Sequence, residues 1–176
     1  MKQETKNRIS ASIQDFRLPR YSEIPNVGLY LEQTTKYICE YLAPIQDNAI
    51  TGSMISNYVK KGLISNPVRK QYNREQIARL MFIAVAKMSM SMDDLYLMLT
   101  IQQQTYSSEI AYNYFCREFE NVLACVFGRK SEMDVIGADT TDEKIMLRNM
   151  IIAVAHKVYL DKLFSVLRAG DGGAKN

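Results

Sequence analysis

Residues 50–72 read Ile50-Thr-Gly-Ser-Met-Ile-Ser-Asn-Tyr-Val-Lys-Lys-Gly-Leu-Ile-Ser-Asn-Pro-Val-Arg-Lys-Gln-Tyr72, and this stretch decides how the chain is organised. Thr51 is suited to cap a helix, because its hydroxyl can accept a hydrogen bond from an orphan amide of the first turn. The helix is expected to span 51–61, and Gly62 is placed to end it in the left-handed conformation. At ~100° per residue, Met54, Ile55, Tyr58 and Val59 share one side. Ser53, Ser56, Asn57, Lys60 and Lys61 share the other. Short side chains allow close approach, Asn reads base edges and lysines meet phosphates, so the second face suits a DNA major groove. After Gly62, residues 65–72 form a basic, Pro-containing segment long enough for a tight turn with two very short arms. A basic hairpin after a small helix is the layout of a winged helix-turn-helix.

Charge is distributed in keeping with this reading. The chain carries 22 Lys and Arg against 19 Asp and Glu, a net charge of +3, too little to argue nucleic-acid binding by itself. Residues 51–80 hold Lys60, Lys61, Arg69, Lys70, Arg74 and Arg79 against Glu75 alone. The positive excess therefore sits in the proposed reading head, the expected electrostatic footprint; a merely solvated basic surface has the same pattern. Composition is 47% hydrophobic and 23% charged, which points away from disordered and fibrous classes.

MISNYVKKGLI, then Pro67, Arg69 and Tyr72, then NREQIARLMFI and MSMSMDDLYLML, together resemble the amino-terminal domain of the MerR regulators. There a Tyr-bearing helix precedes Gly-Leu-Leu, a wing ends in Tyr, and a helix with Leu-x-x-Ile leads to a Ser-capped helix. The likeness covers roughly residues 50 to 100. With the preceding FRLPRYSEIPNVGLYLEQ it is similar to a bacterial family known only as domain of unknown function 1836, regarded as a MerR-like relative. The resemblance implies a mainly α fold: a MerR-like winged helix-turn-helix domain with a very short β-wing, then two long carboxyl-terminal helices. It also implies a DNA contact set of Ser53, Ser56, Asn57, Tyr58, Lys60 and Lys61 on the helix and Arg69, Lys70 and Tyr72 on the wing. Ser56 and Asn57 stand where MerR proteins usually have Arg and Tyr, and Val59 where they have Glu, so the phosphate-clamping Arg is absent.

Around this centre the chain divides into a flexible segment 1–15, a winged helix-turn-helix domain 16–104, a helical hairpin 105–169 and a disordered tail 170–176. Residues 16–26, with Pro19 and Pro25, are expected to lie as an extended arm, Arg17 and Arg20 being surface charges or DNA contacts. Leu29–Leu42 keeps helical spacing, ended by Pro44. Asn73 caps a helix over 74–88 with a stripe of Ile77, Leu80, Met81, Ala84, Val85 and Met88. Ser91 with Asp94 opens the next like a capping box. Ser107 or Ser108 to Phe127 and Thr141 to Arg168 are the two long helices. The second is apolar on two sides and needs two partners, the 108–127 helix and either the front domain or a second copy of the chain. A homodimer through helices 108–127 and 141–168 is expected, which suits pseudo-palindromic DNA.

Catalysis finds little support. His156 is the single histidine, read as a core or interface residue, and no second His, CxxC pair or carboxylate cluster has metal-ligand spacing. No catalytic residue, metal or cofactor is assigned. Cys39, Cys116 and Cys125 read as reduced residues of a cytoplasmic protein. No signal peptide or membrane span is expected, the most apolar run being Met150–Ala155. Two functional readings stay open: a DNA-binding transcriptional regulator of double-stranded DNA, and a protein–protein adaptor on the same scaffold. A small-molecule effector in a pocket between Tyr- and Met-rich helices is compatible with either.

Overall fold

A computed structural model describes residues 3–137 and 141–171. It is mainly helical, with seven α-helices among the described residues and one two-stranded antiparallel sheet. In chain order these are α1 (Gln3–Ala11), a 3-10 turn (Tyr21–Glu23), β1 (Leu29–Tyr30), α2 (Leu31–Leu42), α3 (Gly52–Lys60), β2 (Gln71–Tyr72), α4 (Arg74–Ala86), α5 (Met92–Thr105), α6 (Ser108–Val126) and α7 (Asp142–Asp171).

The capping residues place these helices. Thr51 Oγ1 accepts from Met54 N at 3.3 Å, Asn73 Oδ1 from Gln76 N at 2.9 Å, and Ser91 Oγ from Asp94 N at 3.2 Å. Ser107, rather than Ser108, caps α6, its Oγ accepting from Ile110 N at 3.4 Å. Gly62 takes φ +77° just past α3, the left-handed backbone that a side chain disfavours.

α4 is the hub. The expected stripe understates it, since Gln76, Ala78, Ile83 and Ala86 are buried as well as Ile77, Leu80, Met81, Ala84 and Val85. A helix apolar all round must be enclosed, and α4 packs against α2, α6 and α7. Phe82 meets Phe115 edge-on at 5.1 Å, and Phe115 stacks on Phe119 at 5.8 Å. A single cluster of buried apolar residues runs from Ile9 to Val158.

Several expectations are corrected. Segment 1–15 was expected to be flexible, yet residues 3–11 form α1, which packs against α7 with Ile9 buried, followed by buried Ile13. Those two side chains are enough to anchor a polar segment, because each removes its full apolar surface from water. α2 begins at Leu31, Leu29 and Tyr30 being drawn into the sheet. α7 extends to Asp171, past the expected start of the tail at 170; residues 172–176 lie outside the described part. His156 is exposed on α7, which overturns the core alternative and leaves the interface one, because the inward positions of that helix are Met150, Ile151, Val154, Ala155 and Val158. The three cysteines are free. Burial pushes the Cys116 thiol up to about 12, so it stays protonated and a poor nucleophile.

The arm 16–28 crosses α6 as an extended strap. Leu18 and Ile24 are fully buried and Phe16 meets Phe119 edge-on at 5.8 Å. Arg20 forks onto Glu120, Nη1 to Oε1 at 2.7 Å and Nη2 to Oε2 at 2.6 Å, while Leu18 N donates to the same carboxylate at 2.9 Å. Arg17 is held by Glu23 at 2.8 Å. Arg20 therefore anchors the strap to α6, and Arg17 braces it internally. Among the described residues no helix is long and apolar enough to cross a membrane.

Candidate nucleic-acid interface

α3 lies with Ile55 and Tyr58 buried and Met54 and Val59 half-buried, while Ser53, Ser56, Asn57, Lys60 and Lys61 are exposed. Its two faces are divided as the ~100° spacing predicts. Tyr58 belongs to the inner face. With 3% of its surface exposed it cannot reach a duplex, and burial raises its hydroxyl pKa. That candidate contact is corrected to a core residue. Ser56 turns its Oγ back to Gly52 O at 2.9 Å, and Ser53 Oγ meets Thr51 Oγ1 at 3.0 Å. Among the described residues the Asn57 amide has no hydrogen-bond partner and Lys60 and Lys61 meet no carboxylate. The outer face thus holds one free amide, two cations and two hydroxyls engaged with their own helix.

Behind α3, Lys87 brings its Nζ to 3.6 Å from Met54 Sδ, and desolvation lowers its pKa. Met54 is a soft, adaptable contact for such a stem.

The basic hairpin exists, and its geometry is more specific than its sequence suggested. Gln71 N donates to Val68 O at 2.9 Å, closing a four-residue turn with Arg69 at φ +51° and Lys70 at φ +65°. Two consecutive left-handed residues are the signature of a type I′ turn, which Asn-Gly normally supplies. Here two basic residues adopt it, both exposed. Val68 at the turn is 73% exposed.

What fixes the hairpin was not legible as a wing. Its second arm, β2, pairs antiparallel with β1, Leu29 opposite Tyr72 and Tyr30 opposite Gln71. Gly28 makes this approach possible, since a Cβ there would lie 2.7 Å from Gln71 Cβ. Tyr72, a second expected contact, is buried at 4% exposure. Strand alternation sends its ring inward once Gln71 faces out, so it too is corrected to a core residue. The first arm is held by Gln76 of α4, whose Nε2 donates to Ser65 O at 2.8 Å and Ser65 Oγ at 3.1 Å, while its Oε1 accepts from Asn73 N at 2.9 Å. One buried amide thus completes a capping box and holds the hairpin base. The Asn-x-x-Gln spacing announces the first role and gives no sign of the second.

The basic excess of residues 51–80 divides in two. Arg74 donates to Ile24 O at 2.8 Å and lies over the Tyr21 ring, and Arg79 pairs with Glu75 at 3.6 Å. The other four, Lys60, Lys61, Arg69 and Lys70, point outward without an acidic partner among the described residues. No group of three or more His, Cys, Asp or Glu among the described residues is arranged to hold a metal.

Comparison with curated proteins and comparison with solved structures return no match. The family described as Domain of unknown function (DUF1836) matches residues 19–115, from the strap through the hairpin to the middle of α6. That match spans more than half of the chain, and the chain belongs to the DUF1836 family.

Proposed function

We propose that the protein is a double-stranded-DNA-binding regulator of MerR-like winged helix-turn-helix type, with α3 entering the major groove and the Val68–Gln71 turn on the flanking backbone. The observation that carries this is the outward face of α3, where the Asn57 amide sits beside Lys60 and Lys61, none of them spent on a partner among the described residues. A bidentate amide specifies a base edge, whereas ammonium groups neutralise phosphates without reading sequence. Arg69 and Lys70 extend the cationic surface from a turn whose backbone is held at both arms. The contact set on this reading is Ser53, Ser56, Asn57, Lys60, Lys61, Arg69 and Lys70.

Selection from a random duplex pool, followed by anisotropy titrations across salt, tests the proposal. The double variant Lys60→Ala, Lys61→Ala is expected to weaken binding to every sequence and to flatten the log K against log salt slope by nearly two units, at ~0.9 per phosphate contact. Asn57→Ala is expected to cost about 1–3 kcal/mol on the selected site and little elsewhere. A chain that binds no selected duplex above a scrambled control at ~0.1 M salt ends the proposal.

A second reading is an adaptor that uses the same surface for a protein. The 73% exposed Val68 favours it, as does Ser56, whose hydroxyl is turned onto Gly52 O where a phosphate-clamping Arg would stand outward. Its mark is a stoichiometric protein complex lost with Val68→Asp while Lys60 and Lys61 variants retain it.

A further inference from the structure

Behind the hairpin, α4, α5, α6 and α7 do not close completely. They leave a pocket of about 280 Å³, open at one side, far from the outer face of α3 in sequence and on different helices. Voids of this size are foreign to a packed interior, where few exceed one water molecule. The walls are apolar: Ala78 and Phe82 of α4, Leu99 of α5, Ala111 and Phe115 of α6, and Leu147 of α7. Gln102, Tyr106, Ser108, Tyr112 and Tyr114 also line the pocket, so it is apolar in the main with a few polar groups among the walls. The volume lies just below the ~300–1,000 Å³ typical of ligand pockets, which suits a small guest such as one fused ring system or a medium-length acyl chain.

The mouth has a different character from the walls. Arg79, Arg117 and Lys144 line it against Glu75 and Glu143. Both acids are engaged: Glu75 Oε1 accepts from Ser108 Oγ at 2.6 Å, and Glu143 Oε1 from Thr105 Oγ1 at 2.8 Å. The Arg79–Glu75 contact is loose at 3.6 Å. With the Gln103 amide oxygen turned toward the guanidinium, Arg79 also donates Nη2 to it at 2.9 Å, a neutral partner that leaves the charge uncompensated. Arg117 donates its Nε to Asn113 O at 3.3 Å, and its terminal nitrogens meet no carboxylate among the described residues. Two guanidinium groups at the rim of an apolar pocket match a ligand with a greasy body and an anionic head, since the planar fork fits a carboxylate edge to edge.

We infer that the α4–α7 pocket is a binding site for a small amphipathic carboxylate, its apolar body between Phe82 and Phe115 and its carboxylate at Arg79 and Arg117. This site is separate from the proposed DNA surface and stands or falls without it.

The probes are 1-naphthoate and decanoate, each beside its neutral alcohol, titrated calorimetrically into the full chain and followed by thermal melting. The carboxylates are expected to bind saturably with Kd below ~1 mM and to raise Tm, the alcohols at least ~10-fold more weakly. Ala111→Phe fills the pocket and is expected to abolish binding of all four. Arg79→Met and Arg117→Met keep an apolar stem without the charge, and each is expected to reduce carboxylate affinity toward that of the alcohols. Since Ala111→Phe can also overpack α6, its far-ultraviolet dichroism is compared with that of the methionine variants, which leave the wall intact. The inference is overturned if no carboxylate binds, if acids and alcohols bind alike, or if the methionine variants retain full preference for the acid.

Discussion

Arg69 and Lys70 are the residues at which stability and the proposed function pull apart. A left-handed conformation costs an L-residue about 1–2 kcal/mol, and two such residues follow one another in the Val68–Gln71 turn. Asn-Gly would accept the same backbone at little strain. The double variant Arg69→Asn, Lys70→Gly is therefore expected to raise stability by about 1 kcal/mol in urea denaturation, while lowering duplex affinity and shallowing its salt dependence. A loss of stability refutes the strain, and unchanged duplex binding removes the turn from the interface. At this scale much was legible in the sequence. Thr51, Gly62, Asn73 and Ser91 carry their roles in their chemistry and spacing, and the two faces of α3 follow from its periodicity. Tyr58 and Tyr72 enter the contact set through the resemblance alone, although the spacing of α3 already puts Tyr58 on its inner side. The surrounding helices close over both rings.

Between elements, α6 and α7 are joined by a charge that burial makes costly. Glu118 of α6 is 1% exposed, and Arg148 of α7 brings Nε to 2.9 Å from Oε1. The N–H is poorly aimed, so neither carboxylate oxygen gains a well-directed hydrogen bond. Desolvation raises the Glu118 pKa, and Arg148 opposes that shift. With the folded value above the unfolded one, the native state holds the extra proton between the two, and stability falls as pH rises through that window. Arg148→Ala removes the opposing charge and is expected to cost about 3 kcal/mol near neutral pH, the low end for breaking a buried pair because Arg148 is partly exposed. Denaturation midpoints should show the loss shrinking as pH falls toward the ordinary Glu range, and Glu118→Gln added to Arg148→Ala should recover most of it. A pH-independent loss would mean that packing, not charge, is what Arg148 supplies. Pairings of this kind were beyond reach of the sequence. Glu118 with Arg148, Arg20 with Glu120 and Gln76 with Ser65 join residues whose local patterns advertise only a solvated helix face or a cap. The helices themselves were legible because capping and period are local; α1 was missed because two inward isoleucines in a polar segment are too sparse to show a stripe.

Across the whole molecule, α7 has more apolar surface than this chain covers. α1, α4, α5 and α6 all pack on it, yet Leu160, Phe164 and Leu167 remain 45–48% exposed along one side near its end. Their spacing of four and three residues makes a continuous stripe, and we propose that a second copy covers it in a two-fold pair, which would set two reading heads apart on a pseudo-palindromic site. Light scattering is expected to give twice the 20.2 kDa of one chain, and Phe164→Glu to give the single mass without loss of helicity. A wild-type mass of one chain dismisses the pairing. Length, composition and the apolar breadth of α7 were enough to raise the question, whereas the share of that breadth taken by α1 emerges only in three dimensions.

α4 begins where Gln76 grips the base of the hairpin and continues, about half a turn on, into Ala78 and, about one turn further, into Phe82 at the pocket wall. It is a stiff beam with a flap riveted to one end and a recess cut into its flank. If the flap engages DNA as proposed, a guest that tilts the beam would change how firmly it does so, and engagement of the flap would change the guest's affinity by the same factor.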